Sequence, residues 1–232
     1  MCYNHVMELT ADQISADKEI DRWFRTSTSQ VFVLTGFAGT GKTTLLKHTV
    51  TETLALTGES VAFVTPTGKA ATVLLRQGIP ATTVHRLIYQ SITTQVEVEV
   101  NGKKVKVEKL TFKRRENIDK SIKLIVLDEA SMVSDDLLWD LLEFGVKILL
   151  CGDNAQLPPV EGFNNYLKNP DATLRQIVRQ QLDNPIIMLS EMARNGKNIP
   201  YGKYGDCVLV QSKRVFTGEK RKYYLTKSNQ II

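Results

Sequence analysis

Four short runs of the chain are apolar at nearly every position: Val31 to Thr35 (VFVLT), Val61 to Thr65 (VAFVT), Lys123 to Leu127 (KLIVL) and Val146 to Cys151 (VKILLC). Runs this short, rich in β-branched residues and without alternation, read as strands buried on both faces, as in a parallel sheet covered by helices. Helical spacing fills most of the intervals. After the first run, Leu45, Leu46, Thr49, Val50, Thr53 and Leu54 recur on one face, and Gly58 is the expected C-terminal cap. After the third, Ser134 predicts an N-cap, with Asp135 and Asp136 in the first turn where the helix dipole favours acid. Near the start, Thr10 with Gln13 three residues on predicts a capping box for a helix ending near Phe24. The alternation predicts an α/β fold with right-handed crossovers.

One segment departs from it. Thr94 to Phe112 (TQVEVEVNGKKVKVEKLTF) reads as a β-hairpin turning at Asn101-Gly102, a pair suited to a two-residue type I′ turn. Counting outward pairs Val100 with Lys103, Glu99 with Lys104, Val98 with Val105 and Glu97 with Lys106. Two strands alone are marginal, so the hairpin is expected to lean on the main domain or a ligand. Further on, Asn184-Pro185 predicts a helix start and Gly196 its stop, and Cys207 to Gln211 and Tyr223 to Thr226 read as strands. The expected organisation is an α/β domain over 1–90 and 119–170, an inserted hairpin over 91–118, and the beginning of a second domain over 171–232.

Composition narrows the partners. With 232 residues, 42% hydrophobic and 24% charged, the chain is an ordinary globular one with length for about one and a half domains. It has neither an apolar run of roughly 20 residues nor a signal-like start, so a cytoplasmic protein without membrane contact is expected. Cys2, Cys151 and Cys207 are too few and too scattered for a disulfide framework or a zinc knuckle, and read as reduced thiols. The net charge of +5 is concentrated. Nine basic residues oppose five acidic ones between Gln90 and Lys123, and eight oppose two from Lys197 onward. Those segments suit a polyanion, or are simply solvated basic surface.

The candidate chemistry lies at strand ends. Gly36 to Thr43 (GFAGTGKT) fits the phosphate-binding loop G-x-x-x-x-G-K-[ST], after an expected strand and before an expected helix. In such a loop Gly36, Ala38, Gly39, Thr40, Gly41 and Thr44 line the cradle with backbone N–H groups, Lys42 reaches the β- and γ-phosphates, and Thr43 takes Mg²⁺. Asp128-Glu129 follows the third run: Asp128 suits the metal shell, and Glu129 suits the water attacking the γ-phosphate. Gln156, in Gly152 to Pro159 (GDNAQLPP), is a candidate γ-phosphate contact or merely part of a proline-stiffened loop.

In order along the chain, these residues resemble superfamily 1 DNA helicases of the RecD/Dda-like 5′-to-3′ class. LTADQ is similar to the Q motif, GFAGTGKTT to motif I, TPTGKAA (Thr65 to Ala71) to motif Ia and TTVHRL (Thr82 to Leu87) to motif Ib. DEAS is similar to motif II, GDNAQLPP to motif III and IVRQ around Arg179 to motif IV, over residues 8 to about 195. The resemblance implies a RecA-like P-loop NTPase fold, ATP with Mg²⁺, and single-stranded DNA or a single/double-strand junction as partner. Gln13 would then recognise adenine, Arg179 would reach the γ-phosphate, and Thr65, Pro66, Thr67, His85 and Arg86 would meet DNA. The hairpin falls where the family inserts a strand-parting pin; its tip, Lys103 and Lys104 included, and Lys113-Arg114-Arg115 suit phosphates, although the tip carries no aromatic wedge.

No counterpart of the family's motifs V and VI follows, so a truncated motor is expected. It would bind nucleotide, hydrolyse it weakly, and need a C-terminal domain or protein partner to unwind DNA. A loader or protein-remodelling ATPase, and a non-catalytic ATP- and DNA-binding fragment, are the alternative readings.

Overall fold

The computed structural model describes residues 8–100, 103–153, 166–178, 185–194, 196–200, 202–204 and 208–210. The chain divides into two compact units, Met1–Phe37 with Gly41–Gln176 and Ala38–Thr40 with Ile177–Ile232.

The first unit is built on a six-stranded, wholly parallel sheet. Its strands are β1 (Val31–Gly36), β2 (Val61–Thr65), β3 (Ala81–Thr83), β6 (Leu124–Leu127), β7 (Lys147–Gly152) and β8 (Ala172–Leu174), in the spatial order β3-β2-β6-β7-β1-β8. The four apolar runs occupy the four central places. β3 and β8 are edge strands of three residues each, too short to carry a periodic signal. Residues 172–174, expected to open a second domain, instead pair with β1 at the sheet's edge.

Successive residues of the central strands supply opposite cores. Phe32, Leu34, Leu124, Val126, Leu149 and Cys151 pack on one face with α1 (Ala11–Thr26), α2 (Lys42–His48) and α3 (Gly68–Arg76). Val33, Ile125, Leu127, Ile148 and Leu150 pack on the other with α4 (Val84–Ile88) and α5 (Asp135–Leu142). Both faces are thus dry, which is why these strands show no polar alternation. At about 1.5–3 kcal/mol per fully buried large aliphatic side chain, this double layer is the main stabilising element of the unit.

Local chemistry sets the helix ends. The capping box of α1 forms in both directions: the Gln13 N–H donates to Thr10 Oγ1 (3.3 Å) and the Thr10 N–H to Gln13 Oε1 (2.8 Å). Ser134 caps α5 by accepting from the Leu137 N–H. The end of α2 differs from expectation. The helix widens over Thr49–Thr53, where the Leu54 N–H reaches back five residues to the Thr49 carbonyl, and the chain leaves through Ala55 at φ 50°. The Leu56 N–H then closes on the Val50 carbonyl, so the stop comes at Ala55 and not at Gly58.

The hairpin is longer than expected, with β4 (Tyr89–Val100) paired antiparallel to β5 (Lys103–Arg114). Its register is the one counted from the turn, including Glu97 opposite Lys106 and Glu99 opposite Lys104; Asn101 and Gly102 lie outside the described residues. It leans on the main domain at its base. The Tyr89 hydroxyl donates to Asp140, Arg114 pairs with Glu143 and lies 5.7 Å over the Phe144 ring, and the Arg115 N–H donates to the Ile88 carbonyl at 2.7 Å.

In the second unit, α6 (Pro185–Arg194) ends at Gly196, φ 63°, where the Lys197 N–H donates to the Met192 carbonyl at 2.9 Å. β9 (Gly202–Tyr204) pairs antiparallel with β10 (Val208–Val210). The strand expected at Tyr223 to Thr226 lies outside the described residues. No described helix is long and apolar enough to cross a membrane.

Candidate nucleotide-binding site

β1 delivers the chain to the carboxyl edge of the sheet at Gly36, which is buried, and α2 begins six residues later at Lys42. The turn between them needs two left-handed residues, Gly39 (φ 82°) and Gly41 (φ 74°), the second being the N-cap of α2. Ala38 is exposed and Thr40 fully buried. Lys42 folds back along the loop, its Nζ donating to the carbonyls of Gly36 (2.7 Å) and Phe37 (3.1 Å). Gln13 is 3% exposed, and besides its capping role its Nε2 donates to the Gly41 carbonyl at 3.4 Å. The Q-motif-like residue therefore touches the phosphate loop. Thr44 is exposed.

Across the intervening strand β7, Asp128 follows the end of β6 and is 6% exposed. It is held by convergent donors: the Thr43 hydroxyl to Oδ2 (3.2 Å), the Glu129 N–H to Oδ1 (2.9 Å), and the thiol of Cys151 on β7. Burial pushes the Asp128 carboxyl upward, and the Glu129 N–H, Thr43 hydroxyl, Lys42 charge and Cys151 thiol pull it back without cancelling the rise. Burial likewise raises the Cys151 thiol well above its ordinary value, reinforced by the Asp128 charge. Glu129 sits half-buried with φ 57°, a left-handed backbone that costs a non-glycine residue about 1 kcal/mol. Such strain concentrates where a side chain must be aimed. Gln156 and Arg179 lie outside the described residues.

The sequence points to Thr43, Lys42 and Asp128, which the fold brings together. It does not single out Cys151 as a partner of Asp128; only the order β6-β7-β1 reveals that the strand between loop and carboxylate carries it. Nor does it single out Asp12, whose Oδ2 accepts the N–H groups of Arg175 and Gln176, each at 2.9 Å.

The residues read as facing DNA fall into two kinds. Thr65 is fully buried and donates its hydroxyl to the Thr67 carbonyl at 2.9 Å, while Thr67 caps α3 by accepting from the Ala70 N–H; with half-buried Pro66 they shape a turn. His85 and Arg86, on α4, are exposed. They form one wall of a cavity of ≈ 570 Å³ whose other wall is the hairpin base, with Tyr89, Phe112 and Arg115. The His85 and Tyr89 rings lie 5.5 Å apart, and Phe112 is 72% exposed. Neither Tyr89 nor Phe112 stands out in the sequence, because nothing local tells an exposed strand aromatic from a core one. Arg114, grouped by its position with the phosphate-facing residues, is instead engaged by Asp140 and Glu143 and anchors the hairpin. Lys103 and Lys104 open β5; their side chains lie outside the described residues.

A glycine-rich loop between a buried parallel strand and a helix, with a buried carboxylate facing its terminal threonine, defines a P-loop nucleotide-binding domain. Comparison with known proteins agrees. The profile of a family described as an AAA domain matches residues 8–210. The chain belongs to that family, and over most of its length it is similar to helicases of the RecD and Dda kind. It is 33% identical over 181 residues to the ATP-dependent RecD2 DNA helicase of Deinococcus radiodurans, covering 75% of this chain and 23% of that protein. It is 29% identical over 198 residues to the ATP-dependent DNA helicase dda of Enterobacteria phage T4, covering 80% of this chain and 42% of that one. In fold it is similar to the Pif1 helicase of Candida albicans, with a TM-score of 0.54 at 23% identity over 84% of this chain and 46% of the other. The chain thus spans less than half the length of each of these relatives.

Proposed function

We propose that this chain binds ATP with Mg²⁺ and hydrolyses it to drive movement along single-stranded DNA. The contact between the Thr43 hydroxyl and the Asp128 carboxylate carries the reading. These are two hard oxygen donors side by side at the mouth of a phosphate loop, a set that suits Mg²⁺, which takes few protein ligands and completes its shell with phosphate and water. The ion would neutralise charge developing on the β- and γ-phosphates.

The chain's own groups divide the work. Lys42 exchanges the Gly36 and Phe37 carbonyls for phosphate oxygens, a swap that requires only side-chain rotation. Glu129 takes a proton from the attacking water. Gln13 meets adenine from its position against Gly41, and Gln156 and Arg179 reach the γ-phosphate, as the family resemblance implies.

The groove between α4 and the hairpin suits single-stranded DNA. His85, Tyr89 and Phe112 offer ring faces for bases, and Arg86 and Arg115 offer charge for phosphates. A hairpin anchored beside this groove also fits a single/double-strand junction. RecD2 and dda are named as ATP-dependent DNA helicases, and a Bacteroides Pif1 was solved with single-stranded DNA; those properties are extended to this chain as part of the proposal.

Steady-state ATP hydrolysis with and without single-stranded DNA, alongside Glu129→Gln and Lys42→Ala, tests it. DNA-stimulated turnover lost in both variants supports the motor reading. Turnover that ignores DNA, with no salt-dependent DNA affinity, favours an ATPase acting on protein. Nucleotide binding without turnover leaves only the binding half of the proposal standing.

A further inference from the structure

Asp12 lies in the first turn of α1, next to Gln13, and its carboxylate is spent on backbone far away in sequence. A single oxygen, Oδ2, accepts the N–H groups of Arg175 and of Gln176 at 2.9 Å each. Two residues beyond Gln176, the Val178 N–H donates to the Gly39 carbonyl at 2.9 Å. Gly39 is the crown of the phosphate loop and holds a left-handed φ of 82°. The segment 175–178 is therefore held at one end by a carboxylate and holds, with its other end, the peptide whose orientation decides which way the loop's amides point.

We infer that Asp12 is a positioning residue for phosphate binding: by fixing Arg175 and Gln176 it sets Val178 against Gly39 and keeps the loop crown in its phosphate-ready conformation. The physical reason is preorganisation. A phosphate loop binds through several N–H groups aimed at one point, and every peptide free to rotate must be ordered at the moment of binding. The Gly39 carbonyl, engaged by Val178, cannot turn inward, where it would present an acceptor to an anion. Asp12 achieves this without touching the ligand, since its Oδ2 is directed at two backbone N–H groups of the 175–178 segment. The inference rests on the nucleotide-binding reading above and adds a residue to which that reading gave no role.

The neighbouring Gln13 offers a rival explanation for any effect of changing Asp12, because a shift of α1 would disturb adenine recognition. The probe must therefore include a ligand without a base. In the 232-residue chain with Mg²⁺, binding of a fluorescent ADP analogue is measured directly, and tripolyphosphate is titrated as its competitor, for the wild type, Asp12→Ala, Asp12→Asn and Val178→Pro. Val178→Pro removes the N–H that meets the Gly39 carbonyl and leaves Asp12 in place.

The expected result is that Asp12→Ala weakens both ligands about three- to tenfold, the scale of one positioned hydrogen bond, and that Asp12→Asn, which keeps an acceptor, recovers part of the loss. Val178→Pro should weaken both ligands similarly, and the double variant should lose little more than either single one, because the two changes act on one path. Thermal unfolding of each ligand-free variant identifies any that fails to fold, and the cycle is then read from the Asn variant. Unchanged tripolyphosphate affinity in Asp12→Ala, or losses that simply add in the double variant, overturns the inference while leaving nucleotide binding intact. A wild-type chain that binds neither ligand overturns the nucleotide-binding reading and this inference with it.

Discussion

The Thr43 hydroxyl donates to the Asp128 carboxylate across 3.2 Å, although β1, which leads to the first through the loop, and β6, which leads to the second, are separated by β7. The order of strands thus brings together two oxygen donors that suit one metal ion. Replacing Thr43 by Ala should lower the Mg²⁺-dependent part of nucleotide affinity by about ten- to a hundredfold, the usual scale for losing a group that ligates or orients at a metal. Calorimetric titration with Mg²⁺ and with EDTA checks it; equal losses in both conditions would mean that Thr43 acts on the phosphates alone.

Asp128 should oppose folding when metal is withheld. Burial raises its carboxyl above the unfolded value, so the stability tied to its protonated form is fully present below the unfolded pKa and is lost as pH rises through the higher folded one. At pH 7, above the unfolded value, the ligand-free fold bears the cost of burying that carboxyl. Asp128→Asn should therefore melt higher than the wild type by a few degrees at pH 7 in EDTA, with the gap closing toward pH 4, while losing Mg²⁺-dependent nucleotide binding. A lower melting temperature at pH 7 would show that the hydrogen bonds from Thr43, Glu129 and Cys151 outweigh desolvation.

The left-handed backbone at Glu129 makes a separate prediction. Glu129→Gly and Glu129→Ala both remove the side chain, yet only glycine adopts φ 57° without strain. The glycine variant should be more stable than the alanine variant by up to about 1 kcal/mol, once the extra freedom of glycine in the unfolded chain is set against the relieved strain. Urea unfolding of the pair measures the difference, and neither variant should hydrolyse ATP.

At the hairpin base, burial and the hydrogen bond to Asp140 push the Tyr89 hydroxyl up from 10.0 to about 12. A raised acid pKa contributes stability that is whole below the unfolded value and disappears as pH climbs through the folded one. The stability difference between wild type and Tyr89→Phe should hence be constant up to about pH 10 and shrink between there and pH 12. Hydrogen exchange across β4 and β5 should quicken in Tyr89→Phe, and more so with Arg114→Ala, whose change also removes the contacts to Glu143 and Phe144.

Cys151 is fully buried and its thiol raised, so little thiolate exists near neutral pH. It should resist alkylation at pH 8 in the folded chain and react only after denaturation. Peptide mass spectrometry after iodoacetamide reads the site directly. Rapid labelling in the native state would mean that the Asp128 neighbourhood opens on the time scale of the reagent.

The local rules written into this chain are legible in its sequence. Glycine spacing identifies the phosphate loop, the Asn-Gly pair with alternating charges sets the hairpin register, and Thr10, Ser134 and Gly196 mark helix ends, because each depends on residues within a turn or two of one another. β3 and β8 escape because three residues such as ATT and ATL hold no period; they become strands only where β2 and β1 offer an edge to pair with. The same limit explains why Arg114 reads as a phosphate contact when Glu143 holds it, and why Ala55, not Gly58, ends the second helix. Asp12 meeting Arg175, Cys151 meeting Asp128, and Phe112 standing opposite His85 all join residues far apart in sequence. Such meetings depend on strand order and on which way each element leaves the sheet, and no local spacing encodes either.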